Sequence, residues 1–397
     1  MPVRMITQAE RLACEKIQSV AFAYPLDIEK HENESAGETG YQNPCIGFFG
    51  DDHTVTACME LPEFQMRYEG HWVRMTGIGG VASLPEYRFG GAVRQMFHYA
   101  FRRMQQDGTV FSSLYPFSHP YYRKLGYETC QLSSLEYEFP TAALSKFRCK
   151  DKVRMLQPGD STEALQTVFD AHFRRYNMPV LREARHWKKL LGSDPYKERV
   201  YGYLLENTEG PAAYIVLDIR NDGAHNKICH VREAAFVRPE SLWDILGFLY
   251  RLSAQFGTVL LQLPDGIPLS ALLDETHDLK SHYSNQQMSR VINVQKALEL
   301  KRHFDGAAYT LRVRDDGIEE NDGFFRVRCE NGAVHTVKTD DTGPADLTAD
   351  VRTLGQLLLG SLSIDEALYK SDIAVHANLE TLRGVFVRRH VFLTEYF

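Results

Sequence analysis

Two stretches within the first 130 residues carry residue types at spacings that could do chemistry. Gly77 to Arg94 reads Gly-Ile-Gly-Gly-Val-Ala-Ser-Leu-Pro-Glu-Tyr-Arg-Phe-Gly-Gly-Ala-Val-Arg: an apolar run, a proline break, a glycine turn and a helix start. Backbone N–H groups in a glycine turn that opens a helix converge on one point. The helix dipole adds positive potential there, so a pyrophosphate can sit on them. Glycine at 90 and 91 removes the Cβ atoms that would keep a phosphate at a distance. The second stretch, Ser113 to Tyr127, gathers Tyr115, Tyr121, Tyr122, Tyr127 and His119, side chains that hold or deliver protons. Read alone, Ile78 to Ala82 also fits a plain buried strand, Tyr122 a core aromatic and His119 a turn residue.

These segments need a scaffold. Thr7-Gln8-Ala9-Glu10 has the form of a capping box, and Leu12, Ala13, Ile17, Val20 and Ala21 follow at helical spacing. From Pro44 to Leu84 the apolar period is two, which predicts antiparallel strands at Thr54–Met59, Phe64–Tyr68 and Trp72–Met75. Ala92, Met96, Phe97, Ala100, Phe101 and Met104 form a helical stripe ending near Gly108, so the glycine turn indeed leads into a helix. The order helix, strands, helix, strand, helix, strand is complete by about residue 140, and Lys146 to Lys152 reads as a linker. The same order then restarts. A helix follows Asp160-Ser161, strands are expected at 200–205, 213–217 and 228–236, a helix at 240–255 and a strand at 259–263, as in a second copy of one architecture. The last hundred residues open at Arg290–Leu298 and suggest a different α+β domain, with strands near 309–313, 324–329 and 333–337 and two short helices after them.

With 397 residues the chain is too long for one ordinary core. An apolar share of 44% and a charged share of 24% are those of a folded globular protein. No apolar run reaches the roughly 18 residues of a membrane span, and the N-terminus lacks the apolar core of a secretion signal, so a cytoplasmic location is expected. The seven cysteines are scattered and form no CxxC pair, which argues for reduced core thiols and against a disulfide framework or a zinc site. No metal is expected. A net charge of −7 speaks against a nucleic-acid partner and suits a cationic substrate. No HExxH, Gly-x-Ser-x-Gly or Walker pattern competes.

The glycine segment resembles the acetyl-CoA loop of the GNAT N-acetyltransferases, with Arg88, Gly91 and Val93 in the places of Gln/Arg, Gly and a small sixth residue; Val93 is bulkier than that pattern. Tyr122-Arg-Lys-Leu-Gly-Tyr127 and Val81-Ala-Ser-Leu-Pro-Glu-Tyr-Arg88 resemble segments of the Eis (enhanced intracellular survival) acetyltransferases, and Arg290-Val-Ile-Asn-Val-Gln-Lys-Ala-Leu298 looks like the start of their last domain. The resemblance implies an α/β (α+β) chain of two tandem GNAT-like domains, at 1–146 and 147–287, and a sterol-carrier-like domain at 288–397. It implies acetyl-CoA as cosubstrate, with Phe89, Gly90, Gly91, Ala92, Val93 and Arg94 around the pyrophosphate, Val81, Ala82 and Ser83 beside the pantetheine arm, and Phe117 and Ser118 touching the cofactor. It further implies Tyr122 as the acid that protonates the CoA thiolate and the α-carboxylate of Phe397 as the base, although the apolar end Val391–Phe397 read alone fits a strand completing a sheet. The acceptor it implies is an amine of a polycationic small molecule such as an aminoglycoside, or a protein lysine, and the assembly a homo-oligomer, a hexamer. The middle copy has Val237-Arg-Pro-Glu-Ser241 where its glycine loop should be and is expected to bind no CoA. Two other classes stay open: an acyltransferase for longer chains, and a lipid- or partner-binding protein acting through the last domain.

Overall fold

The computed structural model describes residues 2–28, 43–131, 134–221, 227–264, 266–284, 287–340 and 343–397. By internal packing the chain divides into two units. Met1–Cys130, Gln286–Arg389 and Tyr396–Phe397 form the first, and Gln131–Asn285 with His390–Glu395 the second.

In the first unit the capping box forms as the sequence predicts: the Thr7 backbone N–H and hydroxyl both donate to the Glu10 carboxylate, which Arg4 also holds. It starts a single 3-10 turn that runs into α1 (Arg11–Phe22). Strands β1 (Val3–Met5), β2 (Cys45–Phe49), β3 (Val55–Glu60), β4 (Glu63–Tyr68) and β5 (His71–Ser83) follow, then α2 (Ala92–Gln106), β6 (Phe111–Leu114), α3 (His119–Arg123) and β7 (Glu128–Thr129). All six residues of the predicted stripe on α2 are buried against the sheet. The strand at 134–140, expected to complete this first sheet, is absent from it. Its outer position is taken by a strand at Met288–Val291, which pairs antiparallel with β6 on one edge and β7 on the other. Ser113 and Ser289 share a hydroxyl hydrogen bond of 2.8 Å across that pairing.

The last domain belongs to the same unit. Its sheet consists of strands Ala308–Arg314, Gly323–Glu330, Ala333–Thr339, Leu347–Asp350 and Ile373–Val375, and the buried helix Val351–Leu359 follows from its own strand through an Asp350 cap. Ion pairs tie it to the first sheet with both partners out of water. Arg290 reaches Asp315 at 2.6 Å with both side chains 1% exposed, and Lys301 reaches Glu69 at 3.2 Å.

In the second unit the sheet order is β14-β8-β13-β12-β11-β10-β9, where β8 is Ser134–Pro140, β9 Lys152–Met155, β10 Val200–Asn207, β11 Gly210–Asn221, β12 Lys227–Phe236, β13 Thr258–Pro264 and β14 Lys280–Ser284. The stretch Lys146–Lys152 is no linker: Phe147 is fully buried with its ring on Trp243, and Lys152 begins β9. One aromatic among cations outweighs the basic composition that suggested exposure. A buried ion network lies at the centre of this unit. Arg182, 1% exposed, donates to Glu233 at 2.6 and 2.7 Å and to Glu395 at 2.7 Å, while the Tyr214 hydroxyl donates to Glu233. Its guanidinium also covers the Phe169 and Trp187 rings.

Arg182→Ala leaves two carboxylates buried without their cation, and the urea midpoint should fall by the equivalent of about 3–5 kcal/mol. A second effect is pH-dependent. His172 is buried among Phe173, Tyr176 and Phe236, and burial holds its imidazole down to about 4. The folded form is therefore neutral, whereas the unfolded chain takes up the proton near pH 6.5. Its contribution is complete above pH 6.5 and is lost as pH falls toward 4, up to about 3 kcal/mol. Urea midpoints at pH 7 and pH 4.5 should differ less in His172→Phe than in the natural protein.

Candidate active site

The site is set by a parallel pair that stops. β5 and β6 are paired from Met75↔Phe111 to Ile78↔Leu114, and there β6 ends at Tyr115-Pro116. β5 continues to Ser83 but is held only on its other edge, by β3 at Glu60↔Gly79, Cys58↔Ala82 and Ala57↔Ser83. The register slips by one residue between those pairs, and Gly80 takes a positive φ of 53° in the bulge. Any side chain at 80 would run into Gln18, whose Nε2 lies 2.2 Å from the position of a Cβ and donates to the Gly80 carbonyl. Among the described residues, no strand covers the edge of β5 that faces β6 from Gly79 to Ser83. Val81, Ala82 and Ser83 thus border a slot with free strand-type hydrogen-bonding groups, which an extended amide-bearing arm can use.

Beyond Ser83 the chain makes one turn at Pro85–Tyr87 and reaches the loop. Phe89 sits at φ 66° and is fully exposed; Gly91 sits at φ 79° and is the N-cap of α2. A non-glycine residue in the left-handed region is strained. No side chain caps α2, and Gln95 N–H is the first to bond back, to Gly91. The N–H groups of Ala92, Val93 and Arg94 are left facing outward at the positive end of a long helix, and a Cβ at 91 would meet nothing within 4 Å. These residues fit a pyrophosphate. Val93, the bulky sixth residue, is half-buried and packs on the core side of α2, away from the N–H groups.

On the far side of the slot, Ser118 is the N-cap of α3 and Phe117 projects from the loop, 75% exposed. Tyr122 is 3% exposed, edge-on to the rings of Phe97, Phe117, Tyr121 and Tyr127. Burial pushes its phenol above the ordinary tyrosine range, so it is protonated at neutral pH. The neighbouring phenols are separated by their hydrogen bonds. Tyr127 is fully buried and its hydroxyl is taken by Ser112 at 2.7 Å, while the Tyr115 ring packs tilted on Tyr396 and edge-on to Phe397. The Tyr122 hydroxyl has no hydrogen-bond partner among the described residues. Tyr121 is less buried.

Phe397 lies on the other wall. Its ring packs on Phe64 and Tyr115, and its carboxyl carbon is 3.7 Å from the point where a Gly79 Cβ would stand. A Cβ at Gly77 would fall 2.5 Å from the Phe397 ring and 2.8 Å from Pro62. Phe397 and Tyr122 thus flank opposite ends of one short segment, on Tyr115 and on Phe117. Sequence reasoning missed Glu60 and its holders. Glu60 has its Cβ 4.0 Å from the same Gly79 point and is oriented by Gln18 Nε2 at 3.2 Å and Asn43 Nδ2 at 2.8 Å. The available signal was glycine at 77, 79 and 80 inside a strand pattern, which marks a close approach of other groups to the backbone.

The second unit repeats the framework with other residues at the bulge and at the helix start. β12 and β13 run parallel up to Val231↔Leu261, β12 then bulges, and the helix Pro239–Arg251 connects them. Glu233, two residues past the last pair, is held by Arg182 and Tyr214. The helix begins Arg238-Pro239-Glu240 with no glycine, proline supplying no N–H and Glu240 adding negative charge in the first turn.

Comparison with known proteins decides the family. Residues 2–130 and 179–291 each match an acetyltransferase (GNAT) domain, and residues 294–394 a sterol carrier protein domain. The chain is a GNAT acetyltransferase. Such enzymes use acetyl-CoA as cosubstrate. Among solved structures, a conserved Enterococcus faecalis protein aligns at TM-score 0.86 and 21% identity, over 100% of this chain and 99% of that one. A GCN5-related N-acetyltransferase from Anabaena variabilis aligns at 0.83 and 19%, and an Eis protein from Mycobacterium abscessus at 0.80 and 16%, each over 100% of both chains. The fold of this acetyltransferase, two GNAT domains and then a sterol carrier domain, is thus Eis-like. No curated protein matches it. No helix among the described residues is long and apolar enough to cross a membrane.

The packing at Gly77 generates a direct test. Gly77→Ala forces the Phe397 ring away without touching the loop at 89–94, so turnover should fall by about tenfold or more while the acetyl-CoA dissociation constant, measured by calorimetry, stays within about twofold.

Proposed function

We propose that this acetyltransferase moves the acetyl group directly from acetyl-CoA to a primary amine of a cationic acceptor, an aminoglycoside or a lysine side chain, through a ternary complex. The observation that carries this reading is the slot beyond Ile78↔Leu114, with uncapped N–H groups at one end and the Phe397 carboxyl and Glu60 at the other. In this reading the pyrophosphate rests on Phe89–Arg94, the pantetheine arm runs along Val81–Ser83, and Phe117 and Ser118 border it opposite. The Phe397 carboxylate takes the proton from the attacking nitrogen, directly or through one water. Tyr122 gives its phenolic proton to the departing sulfur and regains one from solvent afterwards. The new bond is N–C and the broken one C–S, with no acyl-enzyme in between. Two carboxyl groups bordering Gly79 favour an acceptor bearing more than one positive charge, and the overall charge of −7 agrees.

Tyr122→Phe should lower kcat by about 10²–10³-fold with little change in acetyl-CoA affinity, whereas Tyr127→Phe, which deprives Ser112 of its partner, should act on stability. Extending the chain by a few residues past Phe397 should abolish turnover of an aminoglycoside or a lysine peptide while calorimetric binding of acetyl-CoA persists. Full turnover in the extended protein would remove Phe397 from the mechanism.

A further inference from the structure

A cavity of about 290 Å³ lies inside the first unit, walled by the first three turns of α2, by the turn after α3, and by the last domain. Several of its charges are already matched. Arg123 is bonded to Glu128 at 2.8–3.1 Å, Arg290 to Asp315 at 2.6 and 2.8 Å, and Arg352 to Asp350 at 2.7 Å. Three lining cations are left without an ion-pair contact, one of which, Arg314, is near enough to help hold the Asp350 carboxyl below its ordinary range. Arg94, Lys124 and Arg314 have no carboxylate within ion-pair distance among the described residues, and Arg314 donates only to the Asp372 carbonyl, at 3.3 Å. Asp316 is the remaining lining carboxylate. In a protein of net charge −7, that surplus of positive charge in one small concavity focuses a field that draws an anion. His98, one turn along α2 from Arg94, responds to the same field: burial first and then Arg94, Arg102 and Arg290 hold its imidazole below the ordinary range.

Arg94 belongs to two places at once. Its backbone N–H is one of the uncapped groups of the cofactor loop, and its side chain lines the cavity. A helix rises about 1.5 Å per residue, so the cavity begins within roughly 5 Å of the loop along α2. A ligand whose pyrophosphate rests on the loop and whose thioester arm runs into the slot has one anionic group left to place, the phosphate monoester on its ribose. That group carries between one and two negative charges at neutral pH and offers three acceptor oxygens, which suits several convergent donors.

We propose that this cavity receives the 3′-phosphate of the CoA nucleotide, with Arg94 and Lys124 from the acetyltransferase domain and Arg314 from the sterol carrier domain as its cations. The sterol carrier domain then completes the cofactor site of the first GNAT domain. This inference rests on the reading that Phe89–Arg94 holds the pyrophosphate.

Calorimetry on the full-length protein with acetyl-CoA and with 3′-dephospho-acetyl-CoA tests it. The natural protein should bind acetyl-CoA at least about fivefold more tightly, a margin that shrinks with added salt. Arg314→Gln and Lys124→Gln, both exposed positions, should each weaken acetyl-CoA by about three- to tenfold and leave the dephospho compound unchanged. Equal affinity for the two thioesters in the natural protein, or an equal loss for both in the variants, overturns the proposal while the loop reading stands. Failure of either thioester to bind the natural protein overturns the loop reading and this inference with it.

Discussion

Everything in the first GNAT domain depends on two parallel strands that share hydrogen bonds for four residues and then part. A parallel pair needs a crossover between its strands, and here the crossover is α2 with the glycine turn at its start. The helix must begin where β5 ends, so the loop is brought to the mouth of the slot by topology. β6 stops at Leu114 because Pro116 lacks an N–H to continue the ladder, and β5 is kept in place past that point by β3 on its other edge. The same geometry explains the glycines. Position 80 needs a positive φ for the bulge, and positions 77 and 79 must leave room for the ring and carboxyl of Phe397.

The repeat keeps the parting strands but places a carboxylate beside them. β12 and β13 part as β5 and β6 do, one bulge later than their last pair, yet Glu233 stands where the first copy has glycine. A buried carboxylate demands a cation, and Arg182 supplies it from between Phe169 and Trp187. Glu395 joins that network. Within the second unit the Glu395 carboxylate accepts from Arg182 Nε at 2.7 Å, with both side chains almost dry.

Much of this was legible in the sequence because it is local. The capping box at Thr7, the stripe on α2 and the glycine turn each need only a few neighbouring residues to declare themselves, and all three form as read. What could not be read is what depends on contacts across hundreds of residues. The strand Met288–Val291 enters the first sheet through pairing with Phe111–Leu114, and nothing local distinguishes it from a strand of the domain it precedes. Phe147 sat in a basic stretch that composition assigns to solvent, although one buried ring on Trp243 is enough to fix it. Glu60 looked like an ordinary strand end. Its orientation comes from Gln18 on α1 and Asn43 just before β2, and its place beside the slot from Gly79 on β5.

The Gly126 turn shows the same long-range logic from the other direction. Its φ of 79° alone calls for glycine, but the stronger constraint is that a Cβ there would overlap the Arg290 guanidinium. Arg290 donates to the Leu125 carbonyl and to Asp315 and lies over the Phe101 ring, so one buried cation joins the turn after α3, helix α2 and the last domain. Removing a cation so placed leaves a buried carboxylate, and adding a methyl at 126 displaces the cation, so neither residue can vary alone. The Leu125-Gly126-Tyr127 sequence is thus explained at its centre by packing on Arg290 and at its end by the Tyr127–Ser112 hydrogen bond. Both hold α3, and with it Tyr122, at a set distance from the slot. A tyrosine motif that reads as catalysis is in three of its positions architecture, and that architecture leaves one phenol buried, protonated and without a hydrogen-bond partner among the described residues.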